Sequence, residues 1–163
     1  MTDRYTTKRM SEIWSEQANI NRWLKIEKLY LQELEKIGLS ASYSIYAITE
    51  VTITPEEVRE QEKISDHEFA SFIDVICKKM EAQYPKSSRF VHYGLTSSDI
   101  LDTGLALAIK DSSYELLLDI EEVSKKLLEL SEKHIEDSCI GRTHGKAAEP
   151  TTIGTRLLGL ATT

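Results

Sequence analysis

The chain has 163 residues, a length that suits one domain or one domain with part of another. Apolar residues make up 40% of it and charged residues 29%, which is typical of a globular protein with a buried core. The formal net charge of −7 and the pI of about 5.2 argue against nucleic acid as the main partner, because no basic stretch offsets the carboxylates. No apolar run approaches the roughly 18 residues of a spanning helix, so we expect no membrane-spanning segment.

The cysteines and histidines bear on compartment and metal binding. Cys77 and Cys139 lie far apart without a CxxC pattern, and the N-terminus is too polar for a signal peptide. We therefore expect free thiols and a cytoplasmic protein. The four histidines show no zinc spacing such as HExxH, and the sequence has no Walker or Rossmann glycine pattern. No metal site is expected.

The stretch between residues 10 and 38 is patterned as a helix. Apolar residues recur there at steps of three and four from Met10 to Leu34. Gly38 follows the last of them, where a glycine commonly ends a helix. The pattern predicts one amphipathic helix that ends at this glycine.

Two further helices are predicted between residues 54 and 85. The sequence Thr-Pro-Glu-Glu at 54–57 combines an N-cap, a proline at the first helical position and a glutamate at the third, so a helix should begin at Pro55. Ser65 is predicted to cap the next helix, which Pro85 ends. His67 would lie in its first turn, where the positive end of the helix dipole favours a neutral imidazole. A histidine that only covers the helix end is the alternative.

Residues 90–99 (FVHYGLTSSD) lead from a strand-like or loop segment into a helix start. Thr96, Ser97, Ser98 and Asp99 all offer capping groups. Unpaired backbone N–H groups together with two or three hydroxyls suit a carboxylate or a phosphate. Plain helix capping is the alternative, and it would use only one of the hydroxyls.

A long apolar stripe follows, from Leu105 to His134, with charged residues on the opposite face. Its near-heptad spacing predicts a helix that packs against partner helices. His134 lies on this stripe and is more typical of a packed histidine than of a ligand. The last segment, from Thr151, begins another helix and stops without a cap, so we expect a chain cut from a longer protein.

The most informative block is 141–150 (GRTHGKAAEP). Arg142, Thr143 and His144 place a cation, a hydroxyl and a group that titrates near neutral pH between two glycines. Pro150 suits the first position of a helix, so the block is predicted to be a turn just ahead of a helix start. An imidazole placed there can face a ligand. A capped turn with a surface histidine is the alternative.

Four blocks also carry a resemblance to a known family. They are Arg4-Tyr5, Ser65-Asp66-His67-Glu68, residues 90–99 and residues 141–150. In this order and at these separations they resemble the adenylosuccinate lyases of the fumarase/aspartase superfamily. The sequences His-Tyr-Gly-Leu-Thr-Ser and Gly-Arg-Thr-His-Gly favour this lyase over its fumarase and argininosuccinate relatives. The resemblance covers essentially the whole chain.

The resemblance implies a mainly α fold. Residues 1–95 would form an N-terminal helical domain, and residues 96–163 the first long helices of a fumarase/aspartase-type bundle. Members of the family are considerably longer and assemble as homotetramers. The resemblance further implies a cofactor-free enzyme that acts on a small purine nucleotide in the cytoplasm.

The implied reaction is the β-elimination of fumarate from adenylosuccinate and from its imidazole-carboxamide analogue. By resemblance, His144 is the proton donor and His67 is a second catalytic histidine. The residues implied to bind substrate are Thr96 and Ser97 for the succinyl part, Arg4, Tyr5 and His92 for the nucleotide and its phosphate, and Asp66 and Glu68 beside His67.

Two departures from the family bear on the chemistry. Glu68 stands where an aspartate is usual, and its extra methylene moves the carboxylate. The family's base is a serine on a signature loop of the form Ser-Ser-x-Met-Pro-x-Lys-x-Asn, which this sequence lacks, so the chain alone is expected to be inactive. Two other hypotheses stay open: a non-catalytic helical assembly module that uses the apolar stripe, and a superfamily lyase that acts on another succinyl amine.

Overall fold

A computed structural model describes residues 3–162. Helices dominate this part of the chain, and the predicted mainly α class is confirmed. In chain order the elements are a 3-10 turn at Asp3–Tyr5, α1 at Lys8–Ile13, α2 at Glu16–Lys36, α3 at Ser42–Glu50, α4 at Pro55–Ser65, α5 at Glu68–Gln83, α6 at Ser97–Lys133, β1 at Ser138–Thr143, β2 at Lys146–Thr152 and α7 at Ile153–Ala161.

Backbone contacts divide the chain into two compact units, one up to Ser112 and one from Ser113 onward. The division falls within α6. The domain boundary expected from the sequence lies between residues 95 and 96, just before α6 begins, and so differs from this division. That assignment stays a prediction.

The core of the first unit is built by α2, α3, α4 and α5. Trp23 of α2 packs edge-on against Phe69 and Phe72 of α5, with ring centroids 5.8 and 5.4 Å apart. Leu31 and Ile76 are fully buried beside them. Each such side chain contributes roughly 1.5–3 kcal/mol of burial free energy, which fixes α2 against α5.

The single helix predicted from Met10 to Gly38 is wrong, because the chain is interrupted at Trp14 and Ser15. The Ser15 hydroxyl accepts a hydrogen bond of 3.1 Å from the backbone N–H of Ala18 and starts α2 afresh. The Trp14 indole N–H donates to the hydroxyl of Ser112 at 2.9 Å. Gly38, with a φ of 79°, follows the end of α2 as predicted.

The helix start at Pro55 is confirmed by a reciprocal cap. The Thr54 hydroxyl accepts from the Glu57 N–H at 3.4 Å, and the Glu57 carboxylate accepts from the Thr54 N–H at 2.9 Å. The cap predicted at Ser65 is wrong, because Ser65 is the last residue of α4 and His67 caps α5. Helix α5 ends at Gln83, ahead of Pro85, as predicted.

In the second unit, β1 and β2 form an antiparallel hairpin that leads into α7. The helix start predicted at Pro150 is wrong: this proline lies in β2 opposite Ile140. A two-stranded hairpin has no third strand that needs an N–H from this position, so proline is tolerated there. The cap of α7 is Thr152, whose hydroxyl accepts from the Thr155 N–H at 3.1 Å.

Helix α6 extends over 37 residues and carries the predicted apolar stripe. Six side chains of the stripe remain between 43% and 62% exposed; they are Leu105, Ile109, Leu116, Ile120, Val123 and Leu130. A stripe of this length that stays exposed in residues 3–162 has the character of an interaction surface. Separately, no helix in this part of the chain combines the length and the apolar character needed to cross a bilayer.

Candidate active site

His67 is the N-cap residue of α5, one position before the first turn where the sequence analysis placed it. Its Nδ1 accepts a hydrogen bond of 3.2 Å from the backbone N–H of Ala70. The side chain is exposed, and its Nε2 has no partner among the described residues. Because the cap occupies the Nδ1 lone pair, Nε2 is the nitrogen that can meet a ligand.

Two serines fix the backbone of His67. The hydroxyl of the buried Ser71 donates to the His67 carbonyl at 2.8 Å, and the His67 N–H donates to the Ser65 hydroxyl at 3.4 Å. The two hydroxyls also lie 2.5 Å apart. Asp66 makes the turn between α4 and α5 in the left-handed region, with a φ of 53°. The direction of the imidazole is therefore set by a short, closed hydrogen-bond network.

The carboxylates on either side of His67 are exposed. Neither Asp66 nor Glu68 has a hydrogen-bond partner for its side chain in the described part of the chain. Glu68 borders a cavity of about 240 Å³ that Trp23 and Arg59 also line. The longer side chain at position 68 thus leaves its carboxylate available to a ligand or to solvent.

His92 is held by a residue that the sequence analysis missed. Its backbone N–H donates to Oε2 of Glu27 at 3.0 Å, and its Nδ1 lies 2.7 Å from Oε1 of the same carboxylate. Glu27 is fully buried, and burial raises the pKa of its carboxyl while the contacts with His92 lower it. One signal for it existed: Glu27 lies on the apolar face of α2 between Ile20 and Leu31, where a charge is unusual.

Phe69 connects the surroundings of His67 and His92. Its ring centroid lies 5.1 Å from that of the His92 imidazole, and Phe69 is only two residues from His67 along the chain. His92 itself has a φ of 58°, a backbone region that residues other than glycine rarely adopt. The loop before α6 is therefore shaped to bring this imidazole against α5.

Thr96 and Ser97 stand at the start of α6. The carboxylate of Asp99 accepts from the Thr96 N–H at 2.8 Å, so a carboxylate rather than a hydroxyl caps this end of the helix. The hydroxyls of Thr96 and Ser97 have no partner among residues 3–162. Two hydroxyls beside the first N–H groups of a 37-residue helix remain available to an anionic group.

Arg4 and Tyr5 form the exposed 3-10 turn near the N-terminus. The Arg4 guanidinium carbon lies 5.7 Å from the centroid of the Tyr5 ring, and Tyr5 is 80% exposed. Within the described chain no hydrogen bond joins this turn to the other predicted site residues.

His144 lies at the tip of the β1–β2 hairpin in the second unit. His144 and Gly145 have φ values of 48° and 75° and connect the paired residues Thr143 and Lys146, the geometry of a two-residue type I′ turn. The imidazole is exposed, and neither ring nitrogen has a partner among the described residues. Gly141 permits the close pairing of the strands, because a β-carbon there would lie 2.8 Å from the Glu149 carbonyl oxygen.

The predicted residues are thus divided between the two units. His67, His92, Thr96 and Ser97 belong to the first unit, and His144 belongs to the second. Across residues 3–162, no group of three or more His, Cys, Asp or Glu side chains is arranged to hold a metal ion.

The sequence pattern that defines the lyase family matches residues 3–163. The chain belongs to this lyase family. The adenylosuccinate lyase of Aquifex aeolicus (strain VF5) is 35% identical over 161 residues, covering 96% of this chain and 36% of that protein. The adenylosuccinate lyase of Thermotoga maritima is 34% identical over 160 residues, covering 98% of this chain and 36% of that protein. The resemblance drawn from the sequence is confirmed, and the chain spans about 36% of the length of these curated relatives.

Solved structures share the fold of this lyase chain. The 3-carboxy-cis,cis-muconate lactonizing enzyme from Pseudomonas putida matches with a TM-score of 0.87 at 24% identity, covering 96% of this chain and 37% of that one. The fumarate lyase from Mesorhizobium sp. BNC1 matches with a TM-score of 0.83 at 24% identity, covering 94% of this chain and 37% of that one. At these identities the likeness concerns the fold alone.

Proposed function

We propose that this chain is the N-terminal part of an adenylosuccinate lyase. The complete enzyme eliminates fumarate from adenylosuccinate to give AMP, and from the succinyl-aminoimidazole-carboxamide ribotide to give AICAR. One observation carries the proposal: relatives named adenylosuccinate lyase are 34–35% identical to the chain over nearly its whole length. The lyase family assignment supports the reaction type.

The proposed reaction needs an acid, a base and an anion site. The base removes a proton from the carbon beside a carboxylate, the C–N bond breaks with its electron pair passing to nitrogen, and the acid protonates that nitrogen. His144 fits the acid, because neither of its ring nitrogens is engaged by the described residues and an imidazole can both donate and accept a proton. No serine signature loop occurs in this sequence, so the base must come from elsewhere and this chain alone is inactive.

The residues before α6 and α5 supply the proposed binding groups. The hydroxyls of Thr96 and Ser97, unused within the described chain, would hold the succinyl carboxylates. Nε2 of His67 would meet the reacting part of the substrate or orient it. His92, with Arg4 and Tyr5 supplied from the N-terminal turn, would contact the nucleotide and its phosphate.

Assembly is part of the same proposal. The apolar stripe of α6 from Leu105 to Leu130 is about half exposed, which favours partner helices from other copies of the protein, in a homotetramer when the enzyme is complete. The same surface is what the alternative, a non-catalytic assembly module, would use. Cys77 and Cys139 are free thiols, which supports a cytoplasmic location.

Fumarate release tests the proposal. The complete protein is expected to release fumarate, followed by its ultraviolet absorbance, from adenylosuccinate and from the ribotide, and the 163-residue chain is expected to release none. A panel of other succinyl amines, assayed in parallel, separates this enzyme from a relative with another substrate. A complete protein that leaves both purine substrates intact would refute the proposed function.

A further inference from the structure

The carboxylate of Glu27 contacts a single residue, His92, with both of its oxygens. It is 0% exposed, and both of its oxygens contact His92: Oε2 accepts the backbone N–H at 3.0 Å and Oε1 lies 2.7 Å from Nδ1. No other hydrogen-bond partner of this carboxylate occurs among residues 3–162. The His92 side chain is 20% exposed, so its outer edge reaches the surface. The buried Glu27 carboxylate therefore binds the Nδ1 side of the His92 imidazole, and Nε2 lies on the opposite side of the ring.

The burial of Glu27 limits the charge that the pair can carry. Trp23 and Leu31, one helical turn before and after it on α2, are buried residues of the apolar core. An uncompensated carboxylate in such a place costs several kcal/mol. The pair is therefore stabilised when Glu27 and His92 together hold enough protons to have no net charge.

Either arrangement of the protons in that neutral pair has the same consequence for Nε2. If the shared proton lies on Nδ1, Glu27 is ionised and His92 is an imidazolium, which carries a hydrogen on Nε2. If the shared proton lies on Oε1 of Glu27, Nδ1 accepts it, and the neutral imidazole carries its one hydrogen on Nε2. In both cases the outward nitrogen is a donor.

We propose that Glu27 is a positioning residue that keeps Nε2 of His92 protonated, so that His92 donates a hydrogen bond to an anion, the phosphate of the nucleotide substrate. The inference rests on the proposed function for the identity of the ligand. It adds a residue that never touches the substrate and acts through the protonation of its neighbour. Loss of one proton from the pair would turn Nε2 into an acceptor and leave a negative charge behind it.

Other groups around the pair do not supply this control. Helix α5 contributes the ring of Phe69 and the thiol of Cys77, whose pKa is raised by burial. Helix α2 contributes the hydroxyl of Tyr30, which donates to the Tyr93 carbonyl at 2.9 Å.

The variant Glu27→Gln separates positioning from a purely structural role. An amide of the same shape accepts the His92 N–H through its oxygen and donates to Nδ1 through its nitrogen, so neutral His92 keeps its hydrogen on Nε2. The donor then persists at high pH, where the wild-type pair has lost its proton. Glu33→Gln, an exposed carboxylate on the same helix, is the matched control.

The experiment measures the affinity of the complete protein for AMP and for adenosine by calorimetry, from about pH 6 to about pH 10. AMP affinity of the wild type and of Glu33→Gln should fall by about ten- to a hundredfold as the pair loses its proton, and that of Glu27→Gln should stay level. Adenosine, which has no phosphate, should show no such fall. Parallel pH curves for the wild type and Glu27→Gln, or an equal fall for adenosine, would overturn the inference.

A second measurement keeps the inference apart from the proposed function. In the complete protein labelled with ¹⁵N-histidine, with His92 identified by its loss in His92→Gln, the Nε2 resonance near neutral pH should be that of a protonated nitrogen. If AMP does not bind to the complete protein, the proposal that the ligand is a nucleotide fails. The Nε2 resonance of His92 then tests the role of Glu27 by itself. An unprotonated Nε2 in the wild type would overturn it.

Discussion

Ser131 and Gly154 join α6 to α7 through a hydrogen bond from a side chain to the backbone. The Ser131 hydroxyl donates to the Gly154 carbonyl at 2.8 Å, and the Gly154 N–H donates to the carbonyl of His134 at 2.9 Å. A β-carbon at position 154 would lie 2.5 Å from the Ser131 carbonyl oxygen. Only glycine allows the two helices to approach this closely, so the exit of the hairpin is fixed on α6.

Replacing Gly154 by alanine should therefore destabilise the second unit. Because the new methyl group would meet backbone rather than a movable side chain, we expect a loss of about 1–3 kcal/mol in the free energy of unfolding. Urea denaturation followed by circular dichroism measures it. Gly159→Ala, on the same helix with open space around it, is the control and should gain about 0.5–1 kcal/mol. Equal midpoints for the two variants would contradict the close contact.

The cap made by His67 allows its structural and chemical roles to be separated. Alanine removes the acceptor for the Ala70 N–H and should cost about 1 kcal/mol of stability, whereas asparagine replaces the acceptor at little cost. We expect His67→Asn in the complete protein to keep its stability and to lose about 10²–10⁴-fold in fumarate release. If turnover survives in His67→Asn while stability falls in His67→Ala, the histidine is only a cap.

Glu57 gives the fold a pH dependence with a defined sign. Hydrogen bonds from Lys79 and then from the Thr54 N–H lower the pKa of its carboxyl below 4.5. The ionised carboxylate therefore contributes its full stabilisation when the pH is above the pKa of Glu57 in the unfolded chain. This stabilisation is lost as the pH falls through the lower pKa of Glu57 in the folded protein. Because the pair is partly exposed, Glu57→Gln should cost only about 0.5–1 kcal/mol at neutral pH.

The measurement is urea denaturation of the wild type and Glu57→Gln at several pH values. The difference between them should shrink as the medium becomes more acidic than the unfolded pKa of Glu57. Glu60→Gln, which loses an exposed pair with Lys63 on the same helix, should stay close to the wild type throughout. If the wild type and Glu57→Gln still differ in their free energy of unfolding in strong acid, the charge of the Glu57 carboxylate contributes nothing to stability.

Local signals in the sequence predicted several elements well. The start of α4 at Pro55, the end of α5 before Pro85 and the long helix α6 all depend on capping, proline and periodicity, which act within a few residues. The candidate residues of the loops were found because imidazoles and hydroxyls stand in short turns or beside helix starts, and because the blocks that hold them resemble a known family.

Features set by distant contacts were missed. Helix α3 has no side-chain cap and many β-branched and aromatic residues, and it is held by the burial of Ala47 and Ile48 rather than by propensity. Pro150 was assigned to a helix because its strand partner, Ile140, is identified only by the pairing of β1 with β2. Glu27 is conspicuous as a charge on an apolar helix face, but its partner His92 lies 65 positions away, and no local pattern reveals that pairing.

The most direct test of the proposed chemistry is fumarate release by the complete protein with His144→Asn. Asparagine tolerates the left-handed backbone of the hairpin tip, where φ is 48°, so the turn is kept while the imidazole is removed. The proposal predicts that the oligomer is retained and that turnover of adenylosuccinate falls by about 10²–10⁴-fold. Turnover equal to that of the wild type would contradict it, and unchanged turnover with a lost oligomer would favour an assembly role for this part of the chain.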